Sequence, residues 1–565
     1  MATVRLVSTL EQFRVLWRGA CPTLVSAPEC PPHLLTIGLA LAILATLLNG
    51  RFGPGFSAVP AIPVVDIFAG AGGLGEGFTS YRPRGGAEGP FRVALSAEMD
   101  ANAVRTLRTR AFFHQFPQGE APESYYAYLA GDAGAPWTDT TRDQWEAAQH
   151  EAIQVELGKK QDDALLNARI GEVARQAQLS GVPWVLVGGP PCQAFSLAGR
   201  SRNRGNEGYV PELDERHYLY RHYLRLLSRH KPGAFVLENV RGMLSSRIWG
   251  EPLFDDIFRQ LQRPGGSKGP RYRIQPLVVP DATEGSSQPS DFLVLGEALG
   301  LPQTRHRVIL IGVLEPEFPH IKPLMPSGKS ATVEEMIGGL PPLRSSLTDA
   351  ETHDWPAFSS RLLAKTAKAA SKLDGATADL LAALAERAAS SCDAGIGGRW
   401  VAGKPSASFP SHLKPLMHDP RLKGVLQHFT RGQMQSDLMR YGYAAAYTRK
   451  HDRSPRGAAE FPVALHPNHE SWKKSSHFVD RFKVQRAGAP SSTITSHLAK
   501  DGHYFIHPDP SQLRSLSVRE AARLQTFPDN YLFEGPPVSQ RRQVGNAVPP
   551  YLAQQIASVI HEVLA

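Results

Sequence analysis

One cysteine in this sequence has the setting of a nucleophile. Cys192 lies in Gly188-Gly-Pro-Pro-Cys-Gln-Ala-Phe-Ser196, directly after the apolar run Trp184–Val187. Two prolines stiffen the approach to it, and two glycines free the backbone before them. A thiol held on a rigid turn at a strand end can attack an electrophilic carbon once it is a thiolate. A lone cysteine on an apolar face is ordinarily structural, but this polar, turn-rich setting argues against that. Arg200, Arg202 and Arg204 follow in a Gly/Asn-rich stretch. They can depress the thiol pKa and hold phosphates, or they coat a solvated loop.

Four further constellations accompany it. Asp66-Ile-Phe-Ala-Gly-Ala-Gly-Gly-Leu-Gly75 stands between a strand and a helix pattern, where glycines let the backbone turn and approach a ligand. It is not GxGxxG, so a dinucleotide pyrophosphate is not the obvious ligand. Glu98 ends the next strand, where a carboxylate can accept from both ribose hydroxyls, and Asp132 in Gly131-Asp132 can take an adenine amino group. Phe235-Val-Leu-Glu238-Asn-Val is another strand ending in a carboxylate, either a helix cap or an acid that shares a proton with a ring nitrogen. In Gln303-Thr-Arg305-His-Arg307 the two arginines at i and i+2 face one side of an extended chain. They can clamp a carbonyl oxygen and a phosphate, or be surface charge on an edge. Gln543-Val-Gly-Asn546-Ala-Val-Pro-Pro550 reads equally well as a cofactor wall and as a turn into a last helix.

The elements that must position these residues are strands and helices in alternation. Candidate strands are Val64–Phe68, Val93–Ala97, Trp184–Val187, Ala234–Leu237 and Val308–Ile311. Alternation of this kind predicts an α/β fold with a mostly parallel sheet, whose ligands bind outside the carboxyl ends of the strands. Between about 331 and 485 the alternation fades, and the stretch reads as a second, smaller domain. Within it Lys365–Ala389 is Ala-rich and helical in pattern, as a solvated surface insertion would be. Ser517-Val-Arg-Glu520 has capping-box spacing for a helix through Leu524 that stops before Pro528. Pro549 and Pro550 suit the start of a final helix, in which Tyr551–Leu564 is amphipathic.

The 565 residues are 42% hydrophobic and 20% charged, ordinary globular material, with a net charge of +9 that suits a polyanionic partner. The four cysteines, Cys21, Cys30, Cys192 and Cys392, form neither a disulfide framework nor a zinc spacing. No metal is expected, and a reducing cytoplasm is the natural setting. Leu34–Leu48 is apolar but shorter than the roughly 20 residues of a membrane span. For residues 1–58 three readings stay open: a buried helix, a weak anchor, or an extension that is not native sequence.

Taken together and in this order, the motifs resemble those of the DNA (cytosine-5)-methyltransferases of bacterial restriction–modification systems. The resemblance covers about Pro63 to Ile311 and about Val484 to Ile560, and Ser517–Pro528 also looks like a family block. It implies a Rossmann-like catalytic domain over 59–330, a target recognition domain over 331–485, and a return segment, 486–565, that completes the catalytic domain. It implies S-adenosylmethionine as cofactor, lined by Phe68, Gly70, Gly72, Gly73, Glu98, Met99, Asp132, Pro191, Asn546 and Val548. Asp132 departs from the family pattern, because Ala-Gly follows it where an aliphatic residue is usual. Cys192 would attack C6 of cytosine, Glu238 would contact N3 and the exocyclic amine, and Arg305 and Arg307 would hold the base carbonyl and the catalytic loop. Gln193, Ser196, Arg200, Arg202, Arg204, Gln303, Arg431 and Arg449 would meet double-stranded DNA. The resemblance also implies a monomer paired with a cognate restriction endonuclease.

Competing readings are an RNA cytosine-5 methyltransferase on the same scaffold, a catalytically silent DNA-binding protein, and an amino-methylating enzyme, which needs no cysteine. Between Arg421 and Arg456, basic residues interleave with Tyr441, Tyr443 and Tyr447. This favours duplex DNA, although a basic face around core tyrosines is at least as common a pattern.

Overall fold

The computed structural model describes residues 60–565 except 85, 87–88, 191–218, 249–250, 280–286, 327, 350–353, 404–408, 469–471 and 473–479. Residues 1–59, including Leu34–Leu48, lie outside the described set. Among the described residues, no helix is long and apolar enough to cross a membrane.

Eight strands make the main sheet: β1 (Ile62–Ile67), β2 (Phe91–Glu98), β3 (Ala152–Gln154), β4 (Val185–Gly188), β5 (Ala234–Val240), β6 (Tyr272–Gln275), β7 (Leu293–Leu295) and β8 (His306–Leu314). Their spatial order is β3-β2-β1-β4-β5-β8-β6, with β7 also pairing β8. The first five run parallel, and β8 is antiparallel to β5, β6 and β7. All five expected strands are present. The chain leaves β1 toward β2 on one side and returns to β4 on the other. That reversal opens a crevice at the carboxyl ends of β1 and β4, where ligands bind in such sheets.

Strand side chains alternate between two buried faces, as a covered parallel sheet requires. Val65, Ile67, Leu186, Leu237 and Leu310 point to one face, and Val64, Val93, Val187, Val236 and Ile311 to the other. Helices cover both. α1 (Gly73–Ser80), α2 (Ala101–Phe113) and α3 (Glu123–Ala130) follow the first strands, and α4 (Lys160–Leu179), α5 (Leu219–His230) and α6 (Leu253–Gln262) follow later ones. α4, α5 and α6 bury Ile170, Leu227, Ile257 and Leu261 on the first face.

Beyond the sheet, α7 (Trp355–Ala370), α8 (Gly375–Ala389) and α9 (Gln435–His451) pack together, and β9 (Gly397–Ala402) pairs with β10 (Gly424–Phe429). The Ala-rich stretch is therefore not a single solvated insertion. Asp374 caps α8 through Thr377 N–H, which breaks the stretch into a hairpin. Leu362, Leu363, Leu381 and Leu384 of that hairpin are buried with Leu438 and Tyr443 of α9.

The chain closes with α10 (Val518–Leu524), α11 (Pro537–Asn546) and α12 (Pro550–Leu564). The expected capping box is formed, with Ser517 and Glu520 each meeting the other's backbone N–H. α12 starts on Pro550 and buries Leu552, Ile556 and Ile560 against Leu74 and Phe78 of α1. A Cβ on Gly77 would stand 2.3 Å from Ala553 Cβ, so α1 and α12 approach as only glycine allows. Ala71, Met336, Phe409, Val425, Leu516 and Val544 share one further core, which joins the Gly-rich turn, the 331–485 region and the return segment.

Candidate active site at the carboxyl end of the sheet

The Gly-rich turn leaves β1 with Phe68 at φ 55, Gly70 at φ 56 and Gly72 at φ 78. A left-handed phenylalanine is costly, and such strain gathers at ligand sites. Gly70 N–H donates to Glu98 Oε2 at 2.9 Å, and Asp100 N–H to Glu98 Oε1 at 2.9 Å. A carboxylate has about four acceptor sites, so Glu98 retains capacity for ribose hydroxyls. A Cβ on Gly70 would meet nothing within 4 Å, and the neighbouring Met99 is 59% exposed. An open floor, a half-buried carboxylate and adjacent apolar groups fit a nucleoside cofactor.

Gly72 and Gly73 allow close packing. A Cβ there would stand 2.8 Å from Leu107 Cδ2 and 2.0 Å from Val548 O respectively. Val548 is buried and holds the return segment against α1, while Asn546 is exposed at the end of α11. Asp132 does not stand at a sheet strand's end. Gly131 is the left-handed cap of α3, Asp132 is exposed after it, and the strand beside β2 is β3, ending at Gln154. Gly-Asp here terminates a helix and leaves the Asp132 carboxylate exposed.

Sequence reading missed the second carboxylate under the turn. Asp66 is fully buried, and its Oδ2 accepts Gly75 N–H at 3.2 Å in the first turn of α1. Its Oδ1 has no hydrogen-bond partner among the described residues. Burial pushes its pKa up to about 8; the Gly75 N–H opposes this, and the Glu98 charge adds to it. The folded state therefore holds a proton that the unfolded chain releases near its ordinary value of 3.8. Stability falls as pH rises through that window, by up to about 1.4 kcal/mol per unit, and levels off above it. Asp66→Asn mimics the neutral acid and removes this slope. Urea unfolding at about pH 5 and about pH 9 should show a smaller stability loss for the variant than for the wild type. Parallel losses in both proteins count against a buried neutral Asp66.

Tyr531 was also missed. Its hydroxyl donates to Ala71 O at 2.5 Å and so fixes the turn from the return segment. Beside it the Arg110 guanidinium grips Glu76 at 2.7 and 2.6 Å and donates to Asn530 Oδ1 at 2.9 Å. Burial raises the Glu76 pKa, but Arg110 and His114 outweigh it and hold the carboxyl below the usual range.

Across the crevice, β4 and β5 pair with Gly188 opposite Leu237. A Cβ on Gly189 would stand 3.0 Å from Glu238 Oε2, so the strand exit passes directly against this carboxylate. Asn239 Nδ2 donates to Pro190 O at 3.4 Å. Pro191, Cys192, Gln193, Ser196, Arg200, Arg202 and Arg204 lie outside the described residues. Arg307 Nε meets Glu238 Oε1 at 2.8 Å, with both side chains 13% exposed.

Arg305 and Gln303 are placed otherwise than expected. Arg305 is 2% exposed and donates to Ile494 O at 3.0 Å and Ala547 O at 2.7 Å. It ties the start of β8 to the return segment. Gln303 is fully buried; its Nε2 donates to Leu524 O and Gln525 Oε1, and its Oε1 accepts from Ile494 N–H. The Gln303 amide is thus taken up by bonds inside the protein. Arg431 donates to Leu498 O and Ala499 O, a structural role, while Arg449 is exposed on the last turn of α9. Tyr441, Tyr443 and Tyr447 are buried, so the basic–aromatic stretch is a core helix and not a stacking surface. The Ser517–Pro528 block is likewise internal: Arg519 donates to three carbonyls, and Arg523 pairs with Asp529.

The family model of the C-5 cytosine-specific DNA methylases matches residues 170–366 and 403–562. The chain belongs to that family. It is 30% identical over 519 residues to type II methyltransferase M.Bpa9945I of Bacillus paralicheniformis, covering 89% of this chain and 99% of that one. It is 27% identical to type II methyltransferase M.AgeI of Thalassovita gelatinovora, covering 88% of this chain and 98% of that one. A solved structure, a putative DNA modification methyltransferase encoded within an Escherichia coli prophage, aligns over 89% of this chain and 99% of that one. Its TM-score is 0.48 and its identity 20%. This methylase is thus a DNA cytosine-5 methyltransferase of the type II restriction–modification kind. The matched stretches leave out residues 367–402, which hold most of the α7–α8 hairpin and of β9.

Proposed function

We propose that this methylase modifies one cytosine in a short duplex DNA site, flipped out of the helix, through a covalent bond from Cys192 Sγ to C6. A stacked base cannot be reached, so the nucleotide must be extruded at a cost of a few kcal/mol. The Cys192 thiolate adds to C6, and the electron pair passes to C5 and the N3 side of the ring. Glu238 meets N3 there, so the charge is neutralised where it develops. Arg307 orients Glu238 and turns its remaining donors toward the base carbonyl. Phe68, Gly70, Glu98 and Met99 with Pro191 and Asn546 would hold S-adenosylmethionine, which would supply an electrophilic methyl group to C5 and leave as the demethylated thioether. A base then removes the C5 proton, the C6–S bond breaks, and the thiolate is regenerated.

The observation that carries this reading is the Glu238–Arg307 pair against Gly189, with β4 between its strand β5 and the β1 that leads into the Glu98–Gly70 crevice. Arg305 acts as a positioning residue behind it. Residues 331–485 serve as the target recognition region, and the enzyme works as a cytoplasmic monomer beside a cognate endonuclease. The test is bisulfite sequencing of plasmid from cells that express the chain or an empty vector. Protection of cytosines at one short motif is expected. No protection, from protein that still binds S-adenosylmethionine, sinks the DNA reading in favour of RNA or a silent binder.

A further inference from the structure

A groove of about 840 Å³ lies between α5 and α6, on the outer side of the sheet's first helical layer. Four arginines line it, Arg221 and Arg225 from α5 and Arg259 and Arg263 from the end of α6, against one carboxylate, Asp256. Arg221 and Arg225 are spaced i, i+4 on one face of α5, about 6 Å apart along the axis, and Arg263 caps the end of α6 four residues after Arg259. Guanidinium groups are weakly hydrated planar forks that match phosphate oxygens.

The groove is built rather than incidental. Gly265 closes its floor at φ 88, and a Cβ there would stand 2.3 Å from Ser228 Oγ. Arg225 is held from behind: its Nη2 meets His222 Nε2 at 3.1 Å, and His222 Nδ1 faces Asp163 Oδ2 at 3.4 Å. Arg259 donates its Nε–H to Asp255 O at 3.3 Å. α5 begins immediately after the segment that carries Cys192, so the Arg221 end of the groove adjoins the catalytic side of the sheet.

We propose that this groove holds the phosphodiester backbone of DNA flanking the methylated site. The proposal rests on the reading of the chain as a DNA methylase and extends its contact beyond the target itself. The two arginine pairs form a track for successive phosphates, which anchors the duplex without reading its sequence.

The test uses the full chain and labelled duplexes of arbitrary sequence, about 12 and about 30 base pairs long, with affinity followed against salt. Each phosphate neutralised contributes about 0.9 to the log–log salt slope, so Arg225→Gln with Arg259→Gln should flatten the long-duplex slope by about 2. The long-duplex affinity should fall about tenfold at moderate salt, well beyond any change for the short duplex. Asp256→Asn should shift it the other way. Both arginines are exposed, so retained thermal unfolding checks that the variants fold. A wild type that methylates DNA, yet shares slope and affinity with the double variant, overturns the groove alone. Arginine variants that lose only inorganic pyrophosphate binding overturn it in favour of a small-anion site. A wild type that binds neither duplex overturns the groove and the functional reading together.

Discussion

Cys192→Ser is expected to abolish cytosine methylation while leaving S-adenosylmethionine binding intact. A serine hydroxyl stays protonated near neutral pH and is a far weaker nucleophile than a thiolate toward C6. Without addition at C6, C5 carries too little electron density to take a methyl group. Removing a covalent nucleophile elsewhere costs about six orders of magnitude, and a loss of at least about four is expected here. The expected cofactor contacts lie largely on β1, β2 and the return segment, whereas Cys192 follows β4. Calorimetric affinity for the cofactor should therefore change less than twofold (roughly 0.4 kcal/mol). Bisulfite sequencing and calorimetry on the same preparation check both halves. Retained methylation rules out the thiol as nucleophile, and lost cofactor binding would show that the substitution acts through folding.

The central strands were legible because most are short apolar runs followed closely by glycine or a carboxylate. That pattern marks a buried parallel strand with a functional carboxyl end. The short β3 was not legible: Ala152–Gln154 is three residues long, between two helical stretches, and pairing with β2 alone makes it a strand. β6, with Arg273 and Gln275, carries too little hydrophobic pattern to announce itself. The α7–α8 break depends on one side-chain cap at Asp374 inside an Ala-rich run.

Chemistry within a single segment could be read, and chemistry between segments could not. Glu98 and Glu238 were found because each follows an apolar run, Glu98 at the end of β2 and Glu238 two residues before the end of β5. Arg305 read with Arg307 as a clamp, and Gln303 as a DNA contact, because the acceptors on Ile494, Leu524 and Ala547 are about two hundred residues away in sequence. The element before Asp132 was not legible either: Gly-Asp after an apolar run reads alike at a strand end and at a helix cap, and only the left-handed Gly131 decides between them. Tyr441, Tyr443 and Tyr447 mix with arginines because α9 is buried almost all round, and Arg440 is accommodated there by Asp437 at 2.6 Å.

The QxRxR motif thus holds two arginines with different tasks, and substitution should separate them. Glu238→Gln preserves volume and one acceptor for Arg307, but an amide can neither give up a proton to N3 nor take one back. The loss falls on charge that develops only in the transition state, so kcat should drop by about two to three orders of magnitude. KM for DNA should stay within a few-fold, because ground-state binding spreads over many phosphates. Arg307→Met frees Glu238 from its 2.8 Å partner and should lower kcat in the same direction. Arg305→Met acts elsewhere. It leaves the Ile494 carbonyl buried without its guanidinium donor, at about 1–3 kcal/mol, while Gln525 Nε2 still reaches Ala547 O. It should lower the unfolding midpoint and spare kcat in the fraction that remains folded. Single-turnover methylation, measured beside urea unfolding, distinguishes the two. Equal kinetic losses at Arg305 and Arg307, with no change in stability at either, would return Arg305 to the crevice and break the division of labour within the motif.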